Sequence, residues 1–378
     1  MPAVIVGYVR SPFTPARKGG LARMRPDDLA SIVVKELVER TGIKPELIED
    51  IIVGCAFPEG EQGFNLARMI TFLSGLPNSV AGVTINRFCG SSMQAIHDAT
   101  GRIAMGAGEA FICGGVESMT RIPMTGFNPM PNPELVADYP EAFTSMGITA
   151  ENLAEQRNIS RERQEEFAVE SHQKAANAQA AGSLASEIVV IQTEDGLVEI
   201  DGCIRADTDV ETLSGLRPAF DENGTVTAGT ASPLTDGVAF MLVCSEDFAK
   251  SNGLTPLARI LSTAVSGCEP ELMGIGPVEA SRKALKRAGL ELDDIDLVEL
   301  NEAFAAQSIA VIEELGLDVD KVNLDGGAIA LGHPLGASGA RITGKAAQLL
   351  QRNGAKTALV TMCIGGGQGI ATVLERID

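Results

Sequence analysis

The sequence predicts an α/β protein built from two similar halves. Near both ends of the chain, predicted strands alternate with helical stretches, which is typical of α/β units around a largely parallel sheet. In the first half a helix begins at Pro26 and is followed by the apolar strand 51–53. In the second half a helix begins at Pro277, ends at Gly289 and is followed by the strand 297–300. The same order of elements occurs twice, which indicates a duplicated unit.

A second pair of segments extends the repeat. Residues 106–112 and 354–360 each begin with glycine and alanine and continue into an apolar strand, after which a cysteine and glycines follow. We therefore expect similar halves near residues 1–118 and 250–378.

The middle of the chain has a different pattern. Residues 121–140 contain five prolines, which predict an ordered loop rather than a helix or a strand. Residues 160–181 form a polar, alanine-rich predicted helix, and residues 187–226 predict short strands and turns. The apolar run 239–244 returns to a core strand. These features indicate an insertion between the halves.

Composition limits the classes of function. The chain has 378 residues, of which 30 are Lys or Arg and 50 are Asp or Glu, so the formal net charge is −20. This charge argues against nucleic acid or an anionic membrane as the main partner. No apolar run approaches the roughly 20 residues of a bilayer span, and residues 1–8 lack the layout of a signal peptide. We expect a cytoplasmic protein without a membrane span.

The cysteines and histidines fit neither a disulfide framework nor a metal site. There are seven cysteines, with no CxxC pair, and three histidines. Five of the cysteines are expected to be small buried residues: Cys55, Cys113, Cys203, Cys244 and Cys268. His97 and His172 fall in polar helical stretches and are expected at the surface.

The two remaining cysteines lie where a predicted strand gives way to a turn. Cys89 is in the motif NRFCGSS, and Cys363 is followed by IGGGQG. His333 is in a glycine-rich stretch and Asn301 begins the motif NEAF. A cysteine at a strand end is more often structural, and a histidine between glycines can simply bind backbone groups. Together, however, the four residues predict a nucleophile, a base and an oxyanion site.

The use of cysteine points to thioester chemistry. Acyl transfer between two thiols is nearly isoenergetic, whereas a serine ester would trap the acyl group. Since a helix is predicted to begin after Cys89, its dipole should favour the thiolate over a free thiol with a pKa of about 8.5. A second cysteine can move a proton at the carbon beside the thioester carbonyl, which is the role predicted for Cys363.

The glycine-rich stretches do not match nucleotide-binding motifs. Residues 365–369 lack the Lys-Ser/Thr pair of a P-loop, and residues 326–332 lack the GxGxxG spacing. Glycines here allow backbone N–H groups to approach a reacting carbonyl, and we expect those of Cys89 and Gly365 to form an oxyanion hole.

These motifs, with others between them, resemble the thiolase family nearly from end to end. The matching segments are residues 86–95, 216–220, 226–229, 301–307, 326–339 and 362–369. The resemblance implies a five-layered αβαβα sandwich of two duplicated halves with an inserted loop domain, assembled as a homodimer or homotetramer. We expect residues 1–118 and 240–256 in the first half, 119–239 in the inserted domain and 257–378 in the second half.

The resemblance also implies roles for individual residues. Cys89 would take the acyl group, His333 would activate it, and Cys363 would be the acid and base at the α-carbon. Asn301 would hold a water that forms one oxyanion hole with His333, and the second hole would be that of Cys89 and Gly365. The family pattern assigns coenzyme A and substrate contacts to Arg205, Ser232, Met146, Phe220 and Phe304. Pro233 and Ser145 depart from residues common in the family. Coenzyme A is a substrate, and no cofactor is expected.

Segments 86–98 and 326–342 look most like degradative 3-ketoacyl-CoA thiolases, including the subunit that pairs with a hydratase/dehydrogenase. The runner-up is a biosynthetic acetyl-CoA acetyltransferase. A ketosynthase would lack a thiol at Cys363, and a non-catalytic thiolase-like lipid-binding or scaffold subunit would lack catalytic groups.

Overall fold

A computed structural model describes residues 1–377 of the chain. The strands are β1 Ala3–Arg10, β2 Thr14–Pro15, β3 Asp50–Gly54, β4 Ala81–Ile85, β5 Ala110–Ser118, β6 Ile191–Thr193, β7 Gly196–Val198, β8 Thr235–Ser245, β9 Ala258–Gly267, β10 Leu297–Leu300, β11 Thr357–Ile364 and β12 Gln368–Arg376. The helices are α1 Pro26–Thr41, α2 Leu66–Leu73, α3 Ser91–Ala104, α4 Pro133–Asp138, α5 Met146–Gln156, α6 Arg161–Ala180, α7 Val210–Ser214, α8 Glu246–Ser251, α9 Gly276–Ala288, α10 Ala305–Leu315, α11 Ala328–Leu331 and α12 Leu335–Asn353.

The strand order confirms the duplication. In the first half the order is β4-β3-β5-β8-β1, and in the second half it is β10-β11-β12-β9. Val322 forms a parallel bridge to Val298 of β10, at the position that β4 occupies beside β3. β3 pairs parallel with β5 and β10 pairs parallel with β11, while β5–β8 and β11–β12 are antiparallel. The two halves therefore share one topology.

The strands at the outer edge of each half pair parallel: β4, β3 and β5 in the first half, and β10 and β11 in the second. The remaining pairs, which lie nearer the contact between the halves, are antiparallel. The reason is clearest in the second half, where only a tight turn separates β11 from β12, and so short a connection requires an antiparallel pair. β1 and β9 also pair antiparallel over the short stretch from Ala3 to Ile5. This contact joins the strands of the two halves.

Alternation of side chains along the strands produces five layers. In β3, Ile51 contributes to a core beneath α1 and α2, while the neighbouring Ile52 faces the opposite way, toward α3 and α12. In β11, Val360 also faces α3 and α12, whereas Leu359 packs with α9 and α10. The order is therefore helix, sheet, helix, sheet, helix. This confirms the predicted αβαβα sandwich.

Sequence signals at the helix ends explain where the outer helices begin and stop. Pro26 occupies the first turn of α1, and Gly42 ends the helix with φ of 69°. The corresponding helix α9 ends at Gly289, with φ of 70°. The helix predicted to end at Gly289 is confirmed.

The inserted segment lies between β5 and β8. The helix predicted over residues 160–181 is confirmed as α6, with Ser160 capping its N-terminus. The prediction of a loop over residues 121–140 was wrong for residues 133–138, because α4 forms there. The side chain of Asn132 accepts hydrogen bonds from the backbone N–H groups of Glu134 and Leu135, and Pro133 starts the helix. A short helix, α7, also lies within residues 187–226.

The exact domain boundaries remain a prediction. β8 crosses the expected boundary between residues 239 and 240. Within residues 1–377, no helix is both long enough and apolar enough to span a bilayer.

The central layer packs against β5 with almost no space between the backbones. A Cβ atom added at Gly115 would lie 1.9 Å from the carbonyl oxygen of Gly336, at the start of α12. Such a contact is impossible unless the backbone moves, so position 115 has no room for any residue larger than glycine. The close approach of β5 to the start of α12 also helps to place His333, because Gly336 lies three residues after it.

We predict that Gly115→Ala lowers the free energy of unfolding by about 1–3 kcal/mol, because overpacking must displace strand or helix. Gly101→Ala is the matched control. A Cβ at Gly101 meets nothing within 4 Å, and this helical site should gain about 0.5–1 kcal/mol. Urea unfolding of both variants checks the prediction, and equal midpoints would contradict it.

Candidate active site

Cys89 lies in a sharp turn between β4 and α3. The preceding residue, Phe88, has φ of 43°, in the left-handed region that a bulky side chain rarely adopts. Its N–H donates to Asn86 Oδ1 at 2.8 Å, and its carbonyl oxygen accepts from Ser91 Oγ at 2.6 Å. These bonds hold a backbone conformation that otherwise costs of the order of 1–3 kcal/mol. The turn leaves Cys89 half-buried at the start of α3.

The same turn packs against the end of β11. A Cβ at Gly90 would lie 2.5 Å from Ile364 Cδ1, so the absence of a side chain lets the two segments meet. As a result the backbone N–H of Gly365 approaches the Cys89 sulfur, where it favours the thiolate. The two residues predicted to form an oxyanion hole are thus neighbours.

The expected stabilisation of the Cys89 thiolate by the start of α3 is outweighed by burial. Burial, with a smaller contribution from the negative charge of Glu117, raises the pKa of Cys89 to about 12. Hydrogen bonds from Gly365 and from the N–H of Cys89 itself act in the opposite direction but do not offset burial. Near pH 7 the side chain is therefore a neutral thiol.

His333 is buried and held from three sides. Its N–H donates to Thr235 Oγ1 at 3.0 Å, its Nδ1 lies 2.6 Å from Ser338 Oγ, and its Nε2 lies 3.4 Å from Asn301 Nδ2. Ser338 Oγ also donates to the carbonyl oxygen of Pro334 at 2.9 Å. Since the Ser338 proton is used there, we infer that His333 Nδ1 carries the ring proton and donates it to Ser338.

This tautomer leaves a lone pair on Nε2, which accepts from Asn301. Burial, assisted by the positive charge of Arg341, lowers the pKa of His333 to about 3. The imidazole is therefore a neutral base at physiological pH. Asn301 and His333 are therefore in direct contact, and the oxyanion hole that they would form with a water stays a prediction.

Glu117, at the end of β5, supports the histidine turn, and sequence reasoning missed it. Its buried carboxylate accepts from the backbone N–H of Ala56 at 2.8 Å, from that of Gly336 at 2.9 Å and from Gln62 Nε2 at 2.9 Å. Burial raises the pKa of Glu117, while these donors lower it. The available signal was an acidic residue at the end of the buried strand AFICGGVES.

Ser338 and Thr235 were also missed. Ser338 is in the same glycine-rich stretch as His333, five residues after it. At this spacing its hydroxyl can reach back to bond the imidazole. Thr235 comes from the start of β8 and is far away in the sequence, so no local pattern could identify it.

Cys363 is buried at the end of β11 in an apolar cluster with Met146, Phe304 and Met273. Burial raises its pKa well above the usual value, and the nearby Cys89 raises it further. The two thiols therefore lie within electrostatic reach of each other. Apolar residues also surround Cys89 on another side: Ala56, Phe57, Met119 and Leu335.

The residues assigned to coenzyme A and substrate lie along the same region. The rings of Phe220 and Phe304 meet edge to face with centroids 5.8 Å apart, and Met146 packs in the cluster of Phe304. The N–H of Ser232 donates to the carbonyl oxygen of Ala303 at 3.0 Å. Arg205 is exposed and lines a cavity. The cavity is also lined by Gly229, Ala231 and Pro233.

Three sequence expectations need correction. His172 is buried and accepts from the backbone N–H of Arg205 at 3.2 Å, and burial lowers its pKa to about 4. His97 bonds Thr372 Oγ1 at 2.9 Å, and burial lowers its pKa to about 3. His172 thus lies inside the protein, whereas His97 is half-buried and its ring bonds a strand of the second half. Cys268 is only half-buried, whereas Cys55, Cys113, Cys203 and Cys244 are buried as expected.

A cysteine thiol beside backbone N–H donors, with a neutral imidazole–amide pair and a second thiol nearby, defines a cysteine-dependent acyltransferase. A model of the thiolase N-terminal domain matches residues 3–247, and one of the thiolase C-terminal domain matches residues 254–376. The chain belongs to the thiolase family.

Individual relatives agree with the family. The chain is 52% identical to a 3-ketoacyl-CoA thiolase of Idiomarina loihiensis, 51% identical to one of Pseudoalteromonas translucida and 49% identical to one of Bacillus subtilis. Each alignment covers 99% of this chain and 99% of the relative.

The pKa values predict a flat pH profile for acylation of Cys89. The pKa of His333 is lowered to about 3 and that of Cys89 is raised to about 12, so neutral base and neutral thiol coexist between these limits. The rate constant for acetylation of Cys89 by acetyl-CoA should change less than about threefold between pH 6 and 9. Rapid-quench mass spectrometry measures it. A bell-shaped profile with both limbs inside this range would indicate a thiolate–imidazolium pair instead.

Proposed function

We propose that this chain catalyses thiolysis of 3-ketoacyl-CoA by coenzyme A, giving acetyl-CoA and a shortened acyl-CoA. The observation that carries the proposal is the Cys89 thiol beside the Gly365 N–H, with Cys363 within electrostatic reach. The three relatives named above carry the same activity in their names.

In the first half-reaction, Cys89 attacks the 3-keto carbon while His333 Nε2 accepts the thiol proton. The oxyanion that forms on the 3-keto oxygen is stabilised by the N–H groups of Cys89 and Gly365. The bond between C2 and C3 then breaks, and its electron pair forms an enolate on the departing thioester. Cys363 donates a proton to C2, and acetyl-CoA leaves.

The enolate oxygen requires its own donors. The imidazolium of His333 and a water held by Asn301 would supply them. Asn301 Oδ1 is buried and accepts no hydrogen bond from residues 1–377, so the amide retains capacity to orient a water.

In the second half-reaction, the thiol of coenzyme A attacks the acyl group on Cys89. The thiolate left on Cys363 accepts the coenzyme A proton, and His333 returns its proton to the Cys89 sulfur as the acyl–sulfur bond breaks. The product is an acyl-CoA shortened by one two-carbon unit, and both cysteines regain their resting state.

Coenzyme A would lie along the region of Ser232, Met146 and Phe304, with the exposed Arg205 near its adenine end. A net charge of −20 repels an anionic ligand at long range, so a local cation of this kind is needed. Phe220, 43% exposed above Phe304, would cover the pantetheine.

The wider setting is part of the proposal. We place the reaction in fatty-acid β-oxidation in the cytoplasm, by a homodimer or homotetramer that can pair with a hydratase/dehydrogenase subunit. Phe127 and Met130 in the proline-rich loop are 60% and 82% exposed. Such exposure favours a loop that packs against another subunit over one that lines a channel within a single chain.

Substitution of the second cysteine separates the two half-reactions. Cys363→Ala should still accept an acetyl group on Cys89 with only a modest loss of rate, because that step involves no carbon acid and the coenzyme A thiolate can leave without a proton from Cys363. Exchange of the acetyl-CoA methyl hydrogens for deuterium should fall by at least about 100-fold, as expected for loss of a general base. Mass spectrometry of the protein and proton NMR of acetyl-CoA provide the two measurements. Methyl exchange at the wild-type rate would require a different base.

Chain length distinguishes the degradative from the biosynthetic alternative. The apolar residues beside Cys89, including Phe57, Met119 and Leu335, offer a surface for the acyl chain. Each methylene buried there adds about 0.8 kcal/mol, or roughly fourfold in kcat/KM until the surface is filled. Thiolysis should therefore be faster for medium-length 3-ketoacyl-CoA than for acetoacetyl-CoA. A profile that peaks at acetoacetyl-CoA would favour a biosynthetic acetyl-CoA acetyltransferase, and no turnover at all would favour a non-catalytic subunit.

A further inference from the structure

The two cysteine turns are joined by a side-chain bridge that the mechanism above does not use. Arg87, two residues before Cys89, donates from Nη1 to Gln368 Oε1 at 3.0 Å. Gln368, three residues after Gly365, donates from Nε2 to the carbonyl oxygen of Gly365 at 3.3 Å. The bridge thus runs from the nucleophile turn of the first half to the oxyanion turn of the second.

The orientation of each group in the bridge is determined by its chemistry. A guanidinium can only donate, so Arg87 directs the carbonyl oxygen of the Gln368 amide toward itself. The amide nitrogen is consequently directed at Gly365. Arg87 is itself oriented, because its Nε donates to Gln94 Oε1 at 2.9 Å and Gln94 Nε2 donates to Asp98 Oδ1 at 2.7 Å. The chain of bonds is anchored on α3.

The Gly365 turn needs such an anchor. Gly366 and Gly367 have φ of 77° and 75°, and glycine has little conformational preference of its own to hold a turn. A Cβ at Gly365 would lie 3.4 Å from Met146 and 3.7 Å from Phe88, which are ordinary van der Waals contacts and do not by themselves orient a peptide N–H. An oxyanion donor, however, must be held within a few tenths of an ångström.

We propose that Arg87 and Gln368 are a positioning pair that holds the Gly365 N–H toward the Cys89 sulfur and so sets the rate of acyl transfer to and from Cys89. The inference rests on the proposed function. Neither side chain touches the reacting atoms, and both act through Gly365. Proton transfer at the α-carbon depends instead on Cys363 with the His333–Asn301 pair, and it should be left largely intact.

The test uses Arg87→Met, Gln368→Met and the double variant. Met keeps a long side chain while removing the polar head in each case. Gln351→Met is the control, because Gln351 bonds the carbonyl oxygens of Leu257 and Ile377, and Ile377 follows the end of β12 opposite the Gly365 turn. Two rates are measured for each protein, acetylation of Cys89 by acetyl-CoA and deuterium exchange of the acetyl-CoA methyl group.

Each single variant should acetylate Cys89 about 10- to 100-fold more slowly, somewhat less than the effect of deleting an oxyanion donor outright. The concentration of acetyl-CoA that gives half the maximal rate should change less than about twofold, and methyl exchange should be nearly unchanged. The double variant should be no slower than the slower single variant, because the two residues act as one unit. Arg87→Lys, which can still donate to Gln368, should recover part of the rate.

Three outcomes would overturn the inference. These are acetylation at the wild-type rate in the variants, equal loss of acetylation and exchange, and multiplicative losses in the double variant. Equal loss together with a lowered melting temperature would indicate a purely structural pair. Failure of the proposed function is distinguished by the wild-type protein, which would then show no thiolysis of 3-ketoacyl-CoA.

Discussion

The candidate site depends on one buried carboxylate, that of Glu117, which is hydrogen-bonded to both halves of the molecule. Glu117 accepts a hydrogen bond from Ala56 in the first half and another from Gly336 in the second. Hydrogen bonds to a charged group contribute about 1.5–3 kcal/mol each, and a buried carboxylate without them would be strongly destabilising. The hydrogen bonds of Glu117 therefore depend on the docking of the two halves, and they also stabilise it. The halves must dock for Glu117 to be satisfied, and the docking brings the turn of His333 toward that of Cys89.

The duplication explains why two turns meet at all. α3 follows Cys89 and α12 follows His333, and these two helices form the central layer between the sheets. Equivalent positions of the repeat thus provide the proposed nucleophile in one copy and the proposed base in the other. The glycines at positions 90, 115 and 336 make the approach sterically feasible, since a side chain at any of them would meet atoms of a neighbouring segment.

Local signals in the sequence predicted much of the fold and the site. The repeat of elements, the helix ending at Gly289 and the catalytic motifs could be identified because each is a contiguous pattern. Ser338, Thr235 and Glu117 could not be assigned in the same way, because their roles depend on contacts with residues distant in sequence or around the turn. The raised pKa of Cys89 could not be predicted for a related reason. The helix start is visible in the sequence, but the burial that dominates its pKa arises only when β11 packs against the turn.

The protonated state of the Cys89 side chain also affects its sensitivity to oxidation. Peroxides and other cellular oxidants attack the thiolate far faster than the thiol, so a cysteine with a pKa near 12 is a poor target while the enzyme is idle. A permanently ionised nucleophile would gain intrinsic reactivity but would be converted to sulfenic acid between turnovers. In the proposed mechanism Cys89 keeps its proton until the neutral imidazole of His333 accepts it, which limits the reactivity of the sulfur to moments when substrate is bound.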